Sequence, residues 1–72
     1  MAQHPAGRSD LAVAVRARRK DLGLTQVEVA ELADVSARFV MELEQGKPTV
    51  RLDKLTAVLD AMGLSLRAEV RN

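Results

Sequence analysis

An all-α domain of four helices carrying a C-terminal dimerising β-strand is the fold class that this 72-residue sequence predicts. Three observations predict it. Apolar residues recur at helical spacing in four separate windows, and Gly23, Gly46 and Gly63 each stand directly after one of them. Only the last stretch, Leu64 to Arg71, changes to strict alternation.

Residues 1–8 hold His4, Pro5 and Gly7 without periodicity and are expected to form a mobile N-terminal arm. Residues 9–63 are expected to form the helical unit. Its first helix should run from Leu11 to Leu22, capped by Ser9 or Asp10. Leu11, Val15 and Leu22 share one face, and Arg19 falls on that same apolar stripe. A guanidinium placed there needs a charge partner. Glu44, one residue beyond a core-facing Leu43, is the best candidate for a structural ion pair that locks the first helix to the third. The alternative is an exposed Arg19 whose stem passes over the stripe to water.

Thr25-Gln26 opens the second helix, with Val29, Ala30 and Ala33 as its buried stripe. Asp34-Val35-Ser36 is too short for anything but a turn, and Ser36 is placed as N-cap of the third helix. That helix should bury Val40 and Leu43 and stop at Gly46, which takes the left-handed cap conformation without a steric penalty. A small Ala30 lets the two helices cross closely at a steep angle. Together they read as a helix-turn-helix, whose second helix enters the DNA major groove.

Pro48 forbids continuation of the third helix, so residues 45–50 are expected to be a loop. The fourth helix should span Leu52 to Met62, with Leu52, Leu55, Leu59 and Met62 on one face. In the tail, residues 64–72, the apolar positions Leu64, Leu66, Ala68 and Val70 alternate with Ser65, Arg67, Glu69 and Arg71. That is the pattern of a half-buried strand. A lone strand leaves its backbone groups unpaired, so a second copy of the same tail is the expected partner, giving a homodimer.

Composition narrows the function class. A chain this short buries only about 60–65% of its unfolded surface, and with no Cys and one His neither disulfides nor a metal cluster can staple it. No metal and no cofactor are expected. Phe39 is the sole aromatic residue, which argues against base-stacking recognition of single strands or RNA. No apolar run approaches about 18 residues and no signal-peptide pattern opens the chain, so a cytoplasmic, nucleoid-associated protein without a membrane partner is expected. The net charge of +1 is polarised: residues 1–23 carry a net +3, residues 24–46 a net −4 and residues 47–72 a net +2. A basic face opposite an acidic one fits the binding of a polyanion by one side of the molecule. Scattered solvated charge is the plainer account.

Three residues at the start and outer face of the third helix, Ala37, Arg38 and Glu42, are the expected base contacts. Arg38 suits guanine O6 and N7 as a bidentate donor, Glu42 suits cytosine N4, and Ala37 offers a methyl to thymine. The alternative for Arg38 and Glu42 is an i,i+4 surface pair. Phe39 is open between a groove contact and packing on a neighbouring helix, with packing favoured. Gln26 at the start of the second helix, Ser36, and the loop residues Lys47 and Thr49 are the expected phosphate contacts, with ordinary capping and loop polarity as the alternative. No catalytic constellation is present: there is no Tyr, no glycine-rich phosphate loop and no pair of carboxylates spaced for acid–base work. An enzyme is not expected.

The run Leu24-Thr25-Gln26, Leu32-Ala33, Val35-Ser36, Leu43-Glu44 and Gly46-Lys47 resembles the phage-repressor (Xre-type) helix-turn-helix superfamily, with its lambda-repressor-like fold, over residues 11–62. The strings RFVMELEQGKPTVRLD (38–53) and DAMGLSLRAEVR (60–71) are similar to its HipB-type antitoxin branch. The resemblance implies a homodimer with C-terminal strands paired across the two-fold, autorepression of its own operon at a palindromic operator in double-stranded DNA, and a kinase-like toxin protein as partner. By position it also places Gln26, Ser36, Ala37, Arg38 and Glu42 at DNA-contacting sites and Arg19 with Glu44 at a structural ion pair. Two departures stand out. Asp34 occupies the place of the usual turn Gly, which Asp tolerates better than most residues. Ala37 supplies no hydrogen bond where many relatives carry a polar side chain. Alternative readings are a stand-alone Xre-type regulator, such as a restriction-modification controller or prophage repressor, and a protein-interaction module that has lost DNA binding.

Overall fold

The computed structural model describes residues 8–68 and 70. Four helices follow one another: α1 (Arg8–Asp21), α2 (Gln26–Ala33), α3 (Ala37–Glu44) and α4 (Leu52–Ala61). The expected N-terminal arm lies outside the described residues except for Arg8, which already belongs to α1.

Local chemistry sets each boundary. Gly23 ends the first turn of chain reversal at φ +70°, and Leu24 N–H donates to the Arg19 carbonyl at 3.1 Å. A reciprocal capping box then starts α2: Glu28 N–H donates to Thr25 Oγ1 at 3.0 Å, and Thr25 N–H donates to Glu28 Oε1 at 2.8 Å. At the other end of α2, Asp34 takes the left-handed conformation (φ 58°, ψ 46°), the single non-glycine residue at positive φ among the described residues. Two residues on, the Ser36 hydroxyl accepts from Phe39 N–H at 3.0 Å and starts α3. Leu64 N–H closes α4 on the Leu59 carbonyl at 2.8 Å beyond Gly63.

Val15 from α1, Val29, Ala30 and Ala33 from α2, Val40 and Leu43 from α3, and Leu55, Val58, Leu59 and Met62 at the C-terminal end form one buried cluster. Ala30 in α2 is 3% exposed, so its small side chain lies inside the packed cluster. Two expected core positions differ. Leu22 lies half outside, because α1 has already ended and the chain is turning at Gly23. Leu52 is 63% exposed: as the first residue of α4 it projects beyond the packed turns, and Val58, one turn after Leu55, is the fully buried residue of that helix.

The C-terminal strand is the main correction. Leu64, Leu66, Ala68 and Val70 belong to no strand, and no sheet exists among the described residues. Leu64 leans against the helical core, while Leu66 is 56% and Val70 93% exposed. Alternation marks two faces of an extended segment, but a strand exists only through ladder hydrogen bonds, and among the described residues no second extended segment supplies them.

A long-range Arg18 contact ties α1 to the end of α4. Its Nε donates to the Met62 carbonyl at 2.8 Å, satisfying an acceptor at the C-terminal end of α4 with a basic side chain.

Candidate nucleic-acid interface

α3 divides into an inner and an outer face. Val40 and Leu43 are buried, Phe39 is half-buried against the core, and Ala37, Arg38, Met41 and Gln45 are exposed. The Arg38 side chain is 80% exposed and lies along the outer surface of the helix toward Glu42, one turn on. Met41 and Gln45 continue the Ala37 position at steps of four residues, a stripe that helical spacing alone identifies but that polarity-based reading passes over.

Behind this face stands the ion pair. Arg19 Nε donates to Glu44 Oε2 at 2.7 Å and Nη2 to Glu44 Oε1 at 2.9 Å, a bidentate arrangement with side chains only 12% and 4% exposed. Arg19 Nη1 donates to the Leu24 carbonyl at 2.9 Å, so the same guanidinium also fixes the loop before α2. Gln26 Nε2 donates to Glu44 Oε1 at 3.1 Å, which leaves the second N–H of its amide able to donate elsewhere. Burial pushes the Glu44 carboxyl up, but the hydrogen bonds from Arg19 and Gln26 outweigh it, and its pKa lies below the ordinary 4.5. The Glu44 bond holds the Arg19 guanidinium charged. The unit is architectural: it anchors α1, the start of α2 and the end of α3 together.

A shallow groove runs along the edge of this unit, lined by Arg16, Lys20, Gln26, Val27, Met41 and Gln45 among others. Arg16 and Lys20 are exposed and one turn apart, so α1 sets two cations beside the N-terminus of α2. Their i,i+4 spacing is the signal that would have found them.

On the opposite flank, Glu42 accepts on both oxygens. Arg38 Nε donates to Oε2 at 3.1 Å, and Lys47 Nζ donates to Oε1 at 3.1 Å. The Lys47 bond first, then that of Arg38, holds the Glu42 carboxyl below its ordinary 4.5. Ser36 spends its oxygen on the cap, but an accepting hydroxyl keeps its own O–H to donate. Thr49 is exposed in the loop after α3, beside Lys47. Gln26, Ser36, Ala37 and Arg38 therefore sit at the N-terminal ends of α2 and α3, with Glu42, Lys47 and Thr49 along the flank of α3. No group of three or more His, Cys, Asp and Glu gathers to hold a metal among the described residues, and no helix there is long and apolar enough to cross a membrane.

Two short helices joined by a tight turn, the second presenting polar side chains from its opening turn, define the class of DNA-reading helix-turn-helix domains. Residues 10–72 match the family model described as a helix-turn-helix domain. Over 58 residues the chain is 41% identical to the uncharacterized HTH-type transcriptional regulator y4mF of Sinorhizobium fredii, covering 81% of this chain and 76% of that protein. It is 36% identical to the immunity repressor protein of Bacillus phage phi105 over 78% of this chain, but spans only 39% of that repressor. Among solved structures, the clp gene regulator ClgR of C. glutamicum superposes with a TM-score of 0.76 at 38% identity, covering 92% of this chain and 85% of that one. A chain from the HipA–HipB–O2–O3 complex superposes with a TM-score of 0.82 over 99% of this chain and 100% of that one; at 21% identity this shows the fold alone. The chain belongs to the helix-turn-helix domain family, among the transcriptional regulators and repressors.

Proposed function

We propose that the protein is a sequence-specific repressor that reads double-stranded DNA with α3. The observation that carries this reading is the split face of α3, where Val40 and Leu43 hold the helix to the core and Arg38, with the methyl of Ala37, stands free of it. Arg38 is the principal base reader. Gln26, Ser36, Lys47 and Thr49 fix register on the phosphates, a role that costs little sequence information and much of the salt dependence. Residues 9–63 are the DNA-binding unit. A helix of eight residues reaches few base edges, so two copies acting on a palindromic operator, with half-sites about 34–36 Å apart or a multiple of that, supply the needed specificity. The exposed Leu66, Val70 and Leu52 offer apolar surface for contact between the copies.

Within this class the antitoxin role is the reading we favour: autorepression of an operon that also encodes a kinase-like toxin, with both proteins in the cytoplasm. It is supported by the linker and tail strings noted above and by the fold shared with the HipA–HipB–O2–O3 complex. A stand-alone repressor is the second reading, favoured by the 36% identity to a phage immunity repressor.

Gel shift with the DNA upstream of its own gene tests the first level. Retention of that duplex at a salt concentration that releases an unrelated duplex of equal length is expected. Equal release of both refutes sequence-specific repression and leaves an interaction module. Co-purification with the product of the adjacent gene decides the second level, since a kinase-like partner supports the antitoxin and no partner supports the stand-alone repressor.

A further inference from the structure

Glu42 occupies a position on α3 from which a carboxylate can meet a base, yet its surroundings fit a different task. Its side chain is 24% exposed against 80% for Arg38, and both oxygens are occupied by cations. One cation comes from its own helix one turn earlier, the other from the loop that follows. Phe39, Val50, Thr49, Arg51 and Lys54 wall the small cavity beside it. To accept from cytosine, the carboxylate would have to share an oxygen already bonded to a cation, weakening a charge-assisted bond, and bring its negative charge toward a polyanion. The bond it takes from Arg38 is from Nε, which leaves the two terminal nitrogens of the guanidinium, an edge that matches guanine O6 and N7, unbonded to Glu42.

We infer that Glu42 is a positioning residue that sets specificity through Arg38: it holds the guanidinium over one base pair and Lys47 against the adjoining phosphate, and it reads no base itself. This rests on α3 being the recognition helix. Two consequences separate it from base reading by Glu42. Removing the carboxylate should blur the same base pair that removing Arg38 blurs. It should also raise binding to arbitrary DNA, because a negative charge has gone and Lys47 and Arg38 are released to any phosphate.

The test is selection of the full-length protein against a random-sequence duplex library, for wild type, Arg38→Ala, Glu42→Ala, Glu42→Gln and the double variant Arg38→Ala with Glu42→Ala. A bidentate arginine contact discriminates against a wrong base by roughly 5- to 150-fold. Most of that preference should vanish at one and the same position per half-site in Arg38→Ala and Glu42→Ala. The double variant should be no less selective there than Arg38→Ala alone, and binding to unselected DNA should rise when Glu42 is replaced. Glu42→Gln keeps the side-chain volume and one accepting oxygen, so it should retain part of the preference; it also serves as the readout if the alanine variant fails to fold. Loss of preference at a different base pair, independent effects that multiply in the double variant, or an unchanged motif in both Glu42 variants would each overturn the inference. A wild-type protein that enriches no motif overturns the recognition-helix reading, and this inference with it, whereas the other outcomes leave that reading standing.

Discussion

Replacing Glu44 with alanine strands a guanidinium inside the fold. Arg19 loses its acceptors at Nε and Nη2, keeps only the Leu24 carbonyl at Nη1, and at 12% exposure meets little water to replace the carboxylate. Gln26 loses its partner as well. Breaking a buried pair in this one-sided way costs about 3–5 kcal/mol. A chain of 72 residues, at roughly 0.05–0.15 kcal/mol per residue, has only about 4–11 kcal/mol in total. For a domain of this size each kcal/mol moves Tm by about 4–8 °C, so the variant should melt at least about 12 °C lower or fail to fold. Thermal denaturation followed by circular dichroism reads this directly. The companion variant, Arg19→Met with Glu44→Leu, replaces both charges by apolar groups of similar length and should recover most of the loss. A fall of only about 2 °C in Glu44→Ala would mean that Arg19 is hydrated and that the three elements are held together by their apolar contacts alone.

Other perturbations test other parts of the molecule. The Glu44 carboxyl is held below its ordinary 4.5 in the fold, so the stability it contributes is present at neutral pH and is lost as pH falls through its folded value; urea midpoints should drop below pH 4.5, and Glu44→Gln should flatten that dependence. Asp34 sits at φ 58°, where glycine is unstrained, so Asp34→Gly should raise stability by about 0.5–1 kcal/mol and Asp34→Val should lower it, as measured by urea unfolding. Lys47→Ala should weaken binding to all duplexes alike and make the slope of log affinity against log salt shallower by about 1, whereas an unchanged slope would remove Lys47 from the phosphate contacts.

The helices were legible because their boundaries are written in short-range chemistry. Ser36, Gly23, Gly46 and Gly63 act within one turn of their own positions, whereas the Thr25–Glu28 capping box is equally short-range but emerges only from the structure. A charged residue on an apolar stripe likewise announces a need for a partner, and the fold brings Glu44 to Arg19. What periodicity does not encode is where an element stands relative to the others. Leu52 and Val58 are separated by their depth in the packed layer rather than by hydropathy. Arg18 finds the Met62 carbonyl 44 positions away along the chain. The alternating tail records a capacity for two faces, and no local signal states whether a second strand will be present to use it.

Ala37 and Arg38 on the outer face of α3 can be exchanged with little effect on what holds the helix in place, since they are exposed while Val40 and Leu43 are buried. An isolated eight-residue helix does not persist in water, so the outer face of α3 exists only while the whole domain is folded. If α3 reads DNA as proposed, its outer face and the scaffold that presents it are free to diverge at different rates: a new target would require a few surface substitutions, while the interior must be inherited nearly intact.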